Sequence, residues 1–445
     1  MGVRALIACV VLCLAPAVAL RSQSGQQQDD GIVRLVYGVE RAINAGDATA
    51  FASLIAPGAR SPKLADFVRT LTSPRPTSAT VKERDRARVA ADRGRLMIEI
   101  CSVYDREARV TSWRVDVTPS AEGTWSIVDA ERLTTIDGLY RLSLDTSVEY
   151  AVHDLVINAP DFTITIPSGH AFAATTPDGP TAFAVLGRGR VALTPEPEAE
   201  RGQLRQFAGD EAFRSDVNGV FIRLNPYDVA NRINQKSLTP EPPDPRRVRR
   251  AQQLFQTYAP KSFVLDLNDL SADQWWIVPP AGDFVAEVET AKYGALTYAR
   301  AKDDPEDVSF FDRRRKRNIS VYASKENRAA RGPFFSEDSR LEYDITRYVL
   351  DVGFAPERDW VDGVATISLR TRAPLSTLSM RLAEPLVIRQ LTSAQFGRLL
   401  HMRVVGQNNV LVGFPGTLPA GTDVDVTVTY GGRLPPQGIE MRPCR

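Results

Sequence analysis

The sequence predicts an α+β and mainly β protein, with helices near the N-terminus and strands along most of the remainder. Apolar residues first recur at the spacing of an amphipathic helix, and from about residue 96 they alternate with a period of two. Turn-forming residues divide the alternating runs into short predicted strands. Helices followed by antiparallel strands form an α+β region, and repeated strands with one apolar face form a sandwich or a saddle-shaped sheet.

Three helices and then strands are predicted within residues 30–140, which we expect to form the first domain. Gly46 stands where a C-cap glycine ends the first helix, and Asp47 is expected to cap the second. The apolar faces of the three helices are predicted to be Ile32, Leu35, Val36, Val39 and Ile43, then Phe51 and Leu54, then Leu64, Phe67, Val68 and Leu71. The strands are indicated by Leu96, Ile98 and Ile100, by Val110, Trp113, Val115 and Val117, and by residues 125–128.

A β-rich middle region is predicted over residues 141–335, with one helix near 245–258. Short strands are expected at Phe162, Ile164 and Ile166, over residues 171–175 and 181–186, and over residues 263–267, 275–278, 284–288 and 296–299. The helix follows the Pro-rich stretch 239–245 and carries apolar residues on one side. The basic run 313–317 comes after the acidic residues 303–307, and we expect a solvated connector with local charge pairing.

The last block, residues 336–436, has the clearest alternation and predicts an antiparallel β-sandwich or saddle. Its strands are indicated by Tyr348, Leu350, Val352 and Phe354, by Ala365, Ile367 and Leu369, by Leu400, Met402 and Val404, and by Val424, Val426, Val428 and Tyr430. Turns are expected at Asp362-Gly363, at residues 406–409 and at Ala420-Gly421.

The first residues have the pattern of a secretory signal, predicted to span residues 1–19. Arg4 supplies the positive charge, Ala5 to Leu14 are apolar, and Ala17-Val18-Ala19 matches a cleavage site, so cleavage is expected after Ala19. The product is expected to be periplasmic or secreted, without a membrane-spanning segment after cleavage.

The charge composition argues against nucleic acid and anionic membranes as partners. Lys plus Arg is 55 against 54 for Asp plus Glu, which leaves no net field to attract nucleic acid or an anionic membrane. Cys101 and Cys444 remain after signal cleavage, too few for a disulfide scaffold. Whether they pair is open at this point. We expect Cys101 to be a buried strand thiol and not a nucleophile.

Two pieces of the first domain carry a resemblance to a known fold. The stretch from Ala42 through Asp47 to Phe51 and the strand at residues 123–127 resemble the SnoaL-like, nuclear-transport-factor-like cone fold. Cones of this family often hold a pocket, so the resemblance implies one here. Some members are isomerases that use an acidic base with a Tyr or protonated Asp as oxyanion donor. The available candidates are Tyr104, Asp105 and Asp116. We expect a structural or docking cone, with the catalytic cone as an alternative.

The last block carries a second resemblance. Tyr343-Asp344-Ile345, residues 363–367, 375–382 and 414–418, and the closing Val428-Thr429-Tyr430-Gly431-Gly432 resemble the N-terminal β-domain of aminopeptidase N-type zinc peptidases. Segments of the middle region resemble extensions that precede this domain in large exported bacterial members, namely residues 186–189, 200–209, 306–311, the basic run and 321–324, so that the likeness covers roughly residues 140–435 and is most specific after Leu341. In that family the resemblance implies a downstream catalytic domain, where a His-Glu-x-x-His helix and a distant Glu bind zinc.

The zinc ligands of that family are missing from this sequence. Zinc peptidase chemistry needs two imidazoles one helical turn apart and a third ligand, so that a bound water becomes nucleophilic. The chain has three histidines, His153, His170 and His401, and no two lie four residues apart. His170 is expected in a polar turn and His401 in a strand. We therefore assign no metal ligand, no catalytic residue and no cofactor.

Other patterns have structural interpretations. The glycines of Gly187-Arg188-Gly189 are followed by a Pro-rich stretch where a dinucleotide loop needs a helix. A glycosidase pair at Glu287 and Glu289 is less economical than a solvated strand edge, because alternate residues of that strand are apolar. Adjacent Trp275 and Trp276 point to opposite faces of a strand, so one core and one exposed indole are expected.

Three functions remain open from the sequence. The first is an exported non-catalytic multidomain protein with a structural or binding role, whose partner is a peptide or a protein. The second is the N-terminal portion of a zinc metallo-aminopeptidase whose catalytic domain is not in this chain. The third is small-molecule binding or isomerase activity in the cone pocket. The oligomeric state is not predicted.

Overall fold

A computed structural model describes residues 31–120, 123–302, 304, 306–331, 342–404 and 408–434. The predicted signal segment, Cys444 and part of the turn predicted at residues 406–409 lie outside these residues. Within the described ranges, no helix combines the length and the apolarity needed to cross a bilayer.

Seven helices and twenty-three strands are described. The helices are α1 Gly31–Ala45, α2 Ala48–Ser53, α3 Pro62–Thr72, α4 Glu198–Ala208, α5 Val229–Arg232, α6 Pro245–Tyr258 and α7 Lys325–Arg331. The strands are β1 Ser78–Ala90, β2 Arg93–Tyr104, β3 Glu107–Pro119, β4 Trp125–Tyr140, β5 Glu149–Ala159, β6 Phe162–Thr176, β7 Gly179–Leu193, β8 Phe213–Leu224, β9 Leu238–Glu241, β10 Val264–Asp266, β11 Trp275–Ile277, β12 Phe284–Thr290, β13 Gly294–Arg300, β14 Val308–Asp312, β15 Arg317–Tyr322, β16 Tyr343–Ala355, β17 Trp360–Thr371, β18 Leu375–Arg381, β19 Leu386–Ser393, β20 Gly397–Arg398, β21 Leu400–Val404, β22 Asn409–Leu418 and β23 Asp423–Arg433.

The strands form three antiparallel sheets, which confirms the α+β and mainly β class. Sheet A has the order β1-β2-β3-β4-β11-β10-β21-β22-β18, sheet B has the order β15-β14-β13-β12-β8-β7-β6-β5-β9, and sheet C has the order β16-β17-β23-β19-β20. One end of sheet A packs against α1, α2 and α3, and its other end packs against sheet C. Sheet B encloses a core of its own and carries α6 on its outer face.

The N-terminal helices form for the local reasons that the sequence indicates. In α1 the residues at helical spacing are buried, and Gly46 follows with a positive φ of 63°. The Asp47 side chain accepts hydrogen bonds from the backbone N–H groups of Thr49 and Ala50, which confirms it as the N-cap of α2. Ser61 caps α3 in the same way, with Pro62 at its first position.

Several boundaries differ from the sequence-based expectations. Strands β6 and β7 are fifteen residues each and not short, because they pair with each other along nearly their whole length. Asp362 and Gly363 lie inside β17 and do not form a turn, since both neighbouring strands supply backbone partners there. Helix α4 and strand β1 were not predicted, because charged residues obscure their apolar periodicity.

Sheet A runs through all three of the regions predicted from the sequence. The three-residue strands β10 and β11 pair with each other, β11 pairs with β4, and β10 pairs with β21. Residues of the middle region therefore connect the hydrogen-bonded ladder of the first region to strands of the last.

The interior of the N-terminal region contains large buried side chains. Phe51, Phe67 and Trp113 are each fully buried, and Phe67 meets Trp113 edge-on with ring centroids 4.8 Å apart. The Trp113 indole N–H donates to Thr111 Oγ1 at 2.8 Å, so its polar atom is satisfied. These side chains belong to one packed core between the three helices and sheet A.

Replacing the central indole should destabilise the protein strongly. We expect Trp113→Ala to lower the free energy of unfolding by about 3–5 kcal/mol, since it removes apolar contacts and leaves a cavity. Urea unfolding followed by circular dichroism measures the change. Val33→Ala is the control, because Val33 lies on the exposed side of α1, and a loss equal to that of Trp113→Ala would contradict a packed cone interior.

Candidate functional site

Of the residues considered for a catalytic cone, Tyr104 and Asp105 lie together and line one cavity, whereas Asp116 lies apart from them. Tyr104 pairs with Glu107 at one end of the β2–β3 hairpin, whereas Asp116 pairs with Arg95 toward the other end. Nine residues of extended strand separate the two positions, roughly 30 Å. Asp116 is engaged by the Arg95 guanidinium, with Nε 2.8 Å from Oδ1. Asp105 lies in the hairpin turn with a positive φ of 51°. The three candidates therefore do not meet at one site.

The three histidines lie in separate places. His153 is exposed on β5, and His401 lies in β21, as the sequence predicts. Burial, together with the positive charges of Arg398 and Arg84, lowers the pKa of His401 to about 4. His170 does not lie in a turn. It lies within β6, where pairing with β5 and β7 extends the chain through the Ser-Gly dipeptide.

The expectation of a solvated edge at Glu287 and Glu289 is wrong for Glu287. Glu287 is only 1% exposed, because α6 packs over that side of β12. Its carboxylate accepts from Thr297 Oγ1 at 2.8 Å and forms an ion pair with Arg313. Glu289 pairs with Arg250, at 2.6 Å between Oε2 and Nη2. Each carboxylate forms an ion pair with an arginine from a neighbouring element, so both stabilise the packing of that element against β12.

The expectation of one exposed indole is also wrong. Trp275 and Trp276 point to opposite faces of β11, but both are buried, at 0% and 7% exposure. The reason is that sheet A is covered on both sides at this strand, and α6 lies against Trp276. Trp275 donates to Ser271 Oγ and Trp276 to the Ala259 carbonyl, each at 3.0 Å. Neither indole is presented to a sugar.

Two further patterns have structural roles. A side chain at Gly189 would approach the Thr165 carbonyl oxygen to 2.2 Å, so this glycine permits two strands to meet closely at a bulge. The basic run is solvent-exposed over residues 314–317 and connects β14 to β15 as a turn, in agreement with the expected solvated connector. Local charge pairing is confirmed, since Arg315 meets Asp312 at 3.2 Å and Arg313 meets Glu287.

Cys101 is buried, as expected, and is a free thiol. Desolvation is the largest cause that raises the pKa of its thiol, to about 11. A thiol in this state is protonated near neutral pH and is a poor nucleophile.

Strand β16 presents an apolar row to solvent. Tyr348, Leu350, Val352 and Phe354 are 50%, 62%, 50% and 62% exposed. They share a face of sheet C with buried residues such as Leu391, which is 0% exposed. The difference arises because β18 and β22 of sheet A cover the strands at the centre of sheet C, whereas β16 lies at its edge. The prediction of an apolar face on this strand is correct, but this face lies outside the core.

The opposite face of β16 carries two opposite charges. Arg347, Val349 and Asp351 alternate along this face, and all three are exposed. Four residues of strand separate Arg347 from Asp351, about 13 Å, too far for them to pair with each other. Neither side chain forms an ion pair with another described residue of the chain.

One cluster of functional groups was not predicted from the sequence. His170 lies beside Glu149 and Glu241, and Arg247 adjoins both carboxylates. The four residues are as much as 98 positions apart in the sequence. No motif spacing could have indicated them, because strand pairing brings them together.

The partial burial of His401 should make stability depend on pH. The lowered pKa means that the unfolded chain binds a proton at higher pH than the folded chain. Stability is therefore fully present above about pH 6.5 and is lost as the pH falls toward 4, by on the order of 2 kcal/mol at pH 4.5. Urea unfolding of the wild type, His401→Gln and the exposed control His153→Gln should show a shallower decline for His401→Gln alone. An unchanged profile would contradict this assignment.

Comparisons with known proteins yield only short, partial likenesses. No family model and no curated protein matches the chain. Among solved structures, a two-domain M1 zinc metallopeptidase bound to L-arginine is 22% identical, with 23% of each chain covered and a TM-score of 0.20. An M1 zinc metallopeptidase from Deinococcus radiodurans is 21% identical, with 21% of each chain covered and a TM-score of 0.19.

An NTF-2-like protein of unknown function from Shewanella oneidensis MR-1 is 13% identical and has a TM-score of 0.20. The match covers 23% of this chain and 96% of that protein. For the two metallopeptidases, the matched part is less than a quarter of the length of each. Likenesses of this size assign no activity to the chain.

Proposed function

We propose that this chain is an exported, non-catalytic structural protein that binds another polypeptide through strand β16. The observation that carries the proposal is the apolar row of Leu350, Val352 and Phe354, which is at least half exposed along a sheet edge. Each of these side chains contributes about 1.5–3 kcal/mol when it is fully buried. A long apolar edge strand promotes uncontrolled association when it is left open, so a specific partner accounts for it best.

The partner that we propose is a second copy of this chain. Charges on β16 are self-complementary in an antiparallel pair centred on Val349. In that register Arg347 stands directly opposite the Asp351 position of the second copy, and the twofold axis repeats the pair. Each opposite-charge pair across two strands contributes roughly 0.2–1 kcal/mol. The same register places Tyr348 opposite the Leu350 position on the apolar face.

Export and family relationship rest on the sequence. The apolar run and Ala17-Val18-Ala19 support export with cleavage after Ala19. The pieces from Tyr343-Asp344-Ile345 to the closing Tyr430-Gly431-Gly432 support a relationship to the N-terminal β-domain of zinc aminopeptidases. The absence of a His-Glu-x-x-His motif from the sequence supports a role without peptidase chemistry.

A second candidate is the N-terminal portion of a zinc metallo-aminopeptidase whose catalytic domain is on another polypeptide. The apolar row on β16 favours it also, because a catalytic domain could cover the same surface. The DNA downstream of this gene would contain a reading frame with His-Glu-x-x-His. Its product would co-elute with this chain, and Leu350→Asp would abolish the complex. A downstream sequence without such a frame removes this candidate.

The chain itself should lack peptidase activity. We expect the exported chain, with Leu20 as its first residue by mass spectrometry, to release no product from aminoacyl chromogenic substrates, with or without added zinc. The physical reason is that no pair of imidazoles one helical turn apart exists to activate a water. Turnover that a chelator abolishes would overturn the non-catalytic assignment, and an uncleaved N-terminus would overturn export.

Exchanging the charges on β16 tests the proposed pairing. Arg347→Asp places two carboxylates opposite each other, and Asp351→Arg places two guanidinium groups opposite each other. Each variant should weaken self-association by roughly tenfold, since attraction becomes repulsion at both symmetric positions. An equimolar mixture of the two variants should associate again, because each supplies the charge that the other needs. Analytical ultracentrifugation measures the dissociation constants.

The matched control exchanges Arg190 and Asp216, an exposed cross-strand pair on sheet B whose side chains are both 85% exposed. This exchange should leave self-association unchanged. A wild-type chain that is monomeric at every concentration would exclude the second copy as partner. Self-association that ignores both single variants would contradict the Val349-centred register.

A further inference from the structure

Three potential metal ligands meet at the outer end of sheet B. Glu149 begins β5, Glu241 ends β9 and His170 lies on β6. His170 Nδ1 is 2.7 Å from Glu149 Oε1 and 2.9 Å from Glu241 Oε1. All three ligand atoms lie within 4.8 Å of one another. Sheet B order places β5 between β6 and β9, so the cluster joins three adjacent strands.

The backbone register creates an electrostatic problem at this point. Glu149 and Glu241 are direct cross-strand partners. Like charges directly opposite each other destabilise an antiparallel pair. Glu149 is also completely buried, where an uncompensated carboxylate is costly. Cations must therefore compensate the pair for β9 to remain on the edge of the sheet.

Arg247 supplies one compensating charge. Its Nε forms an ion pair with Glu149 Oε1, and its Nη2 lies 3.7 Å from Glu241 Oε1. Two carboxylates and one guanidinium leave a formal charge of −1 when the imidazole is neutral. A proton on His170 would bring the formal charge of the cluster to zero, and a divalent ion would bring it to +1.

The orientation of the polar atoms favours a metal ion. His170 Nδ1 has hydrogen-bond geometry toward Glu241, and one nitrogen carries one hydrogen at most. The fully buried Glu149 Oε1 accepts no hydrogen bond, although His170 and Arg247 both adjoin it. Its other oxygen accepts from the Asp244 backbone N–H at 2.8 Å. Oε1 is therefore buried without an aligned hydrogen-bond donor, although two nitrogen atoms lie within ion-pair distance of it.

We infer that Glu149, His170 and Glu241 bind one divalent transition-metal ion, with zinc as the best fit. One imidazole nitrogen and two carboxylate oxygens suit zinc, whereas calcium and magnesium prefer oxygen ligands alone. The ligand atoms lie slightly closer together than around a bound ion, so side-chain shifts of a few tenths of an ångström admit it. His170 and Glu241 are 32% and 31% exposed, which gives the ion a path from solvent.

The role of the ion is structural. Strand β9 has only four residues, and α6 begins after three further residues, with Asp244 as N-cap and Arg247 in its first turn. The metal would hold β9 against β5 and β6. Because Asp244 and Arg247 at the start of α6 both contact Glu149, the metal would also stabilise the start of that helix. Arg247 and the Asp244 N–H then orient the buried ligand from outside the coordination sphere.

Zinc titration of the tag-free, chelator-treated chain tests the inference. Isothermal titration calorimetry should show one zinc per chain, and zinc should raise the melting temperature because it binds the folded state. His170→Ala should weaken binding by about 100-fold or more, beyond the effect typical of groups that only support a ligand. Glu241→Gln should weaken it in the same direction. Cobalt(II) provides a visible absorption signal that should require His170.

The matched control is His153→Ala, which removes an exposed histidine from β5. This variant should bind zinc as the wild type does. Circular dichroism verifies that the His170 and Glu241 variants fold, which both side chains permit because they are partly exposed. A wild type that binds no zinc, or a His170→Ala variant that binds it equally well, overturns the inference and leaves an ion-pair cluster.

Discussion

Continuity of backbone hydrogen bonding through β10 and β11 is the constraint on which the rest of the structure depends. These strands have three residues each, yet they join the cone strands to β21, β22 and β18 in one sheet. Without them, β4 and β21 would be open edges with unpaired backbone groups, which are costly when buried. Trp275 and Trp276 pack on the two faces of this junction. The junction is therefore both hydrogen-bonded and apolar.

Buried carboxylates on sheet B are each paired with an arginine from a neighbouring element. Helix α6 covers the face of β12 that carries Glu287, and Arg313 compensates that carboxylate. At the far edge of sheet B, Arg247 approaches Glu149 in a comparable way. Removing one member of a buried pair leaves an uncompensated charge, so these pairs impose specific partners on the elements that carry them. The cluster at Glu149 differs because it holds a second carboxylate and an imidazole.

Sheet A covers only part of sheet C. Its central strands face β18 and β22, but β16 extends beyond them and keeps its apolar row in solvent. The proposed binding of another polypeptide rests on this uncovered edge strand. The proposed zinc cluster adds a cross-link within sheet B and acts at a different place from β16.

The sequence alone determined the features that depend on neighbouring residues. Helix α1, the Asp47 cap and the alternation of β21 and β23 follow from local periodicity and capping chemistry, and the structure confirms them. Tertiary structure decided which faces are covered. Glu287 is buried only because a distant helix packs on it, and the β16 row is exposed only because no described layer extends over it. The His170 cluster arises from the pairing of strands that lie far apart in the sequence, and the spacing of residues within a motif does not indicate which distant strands pair.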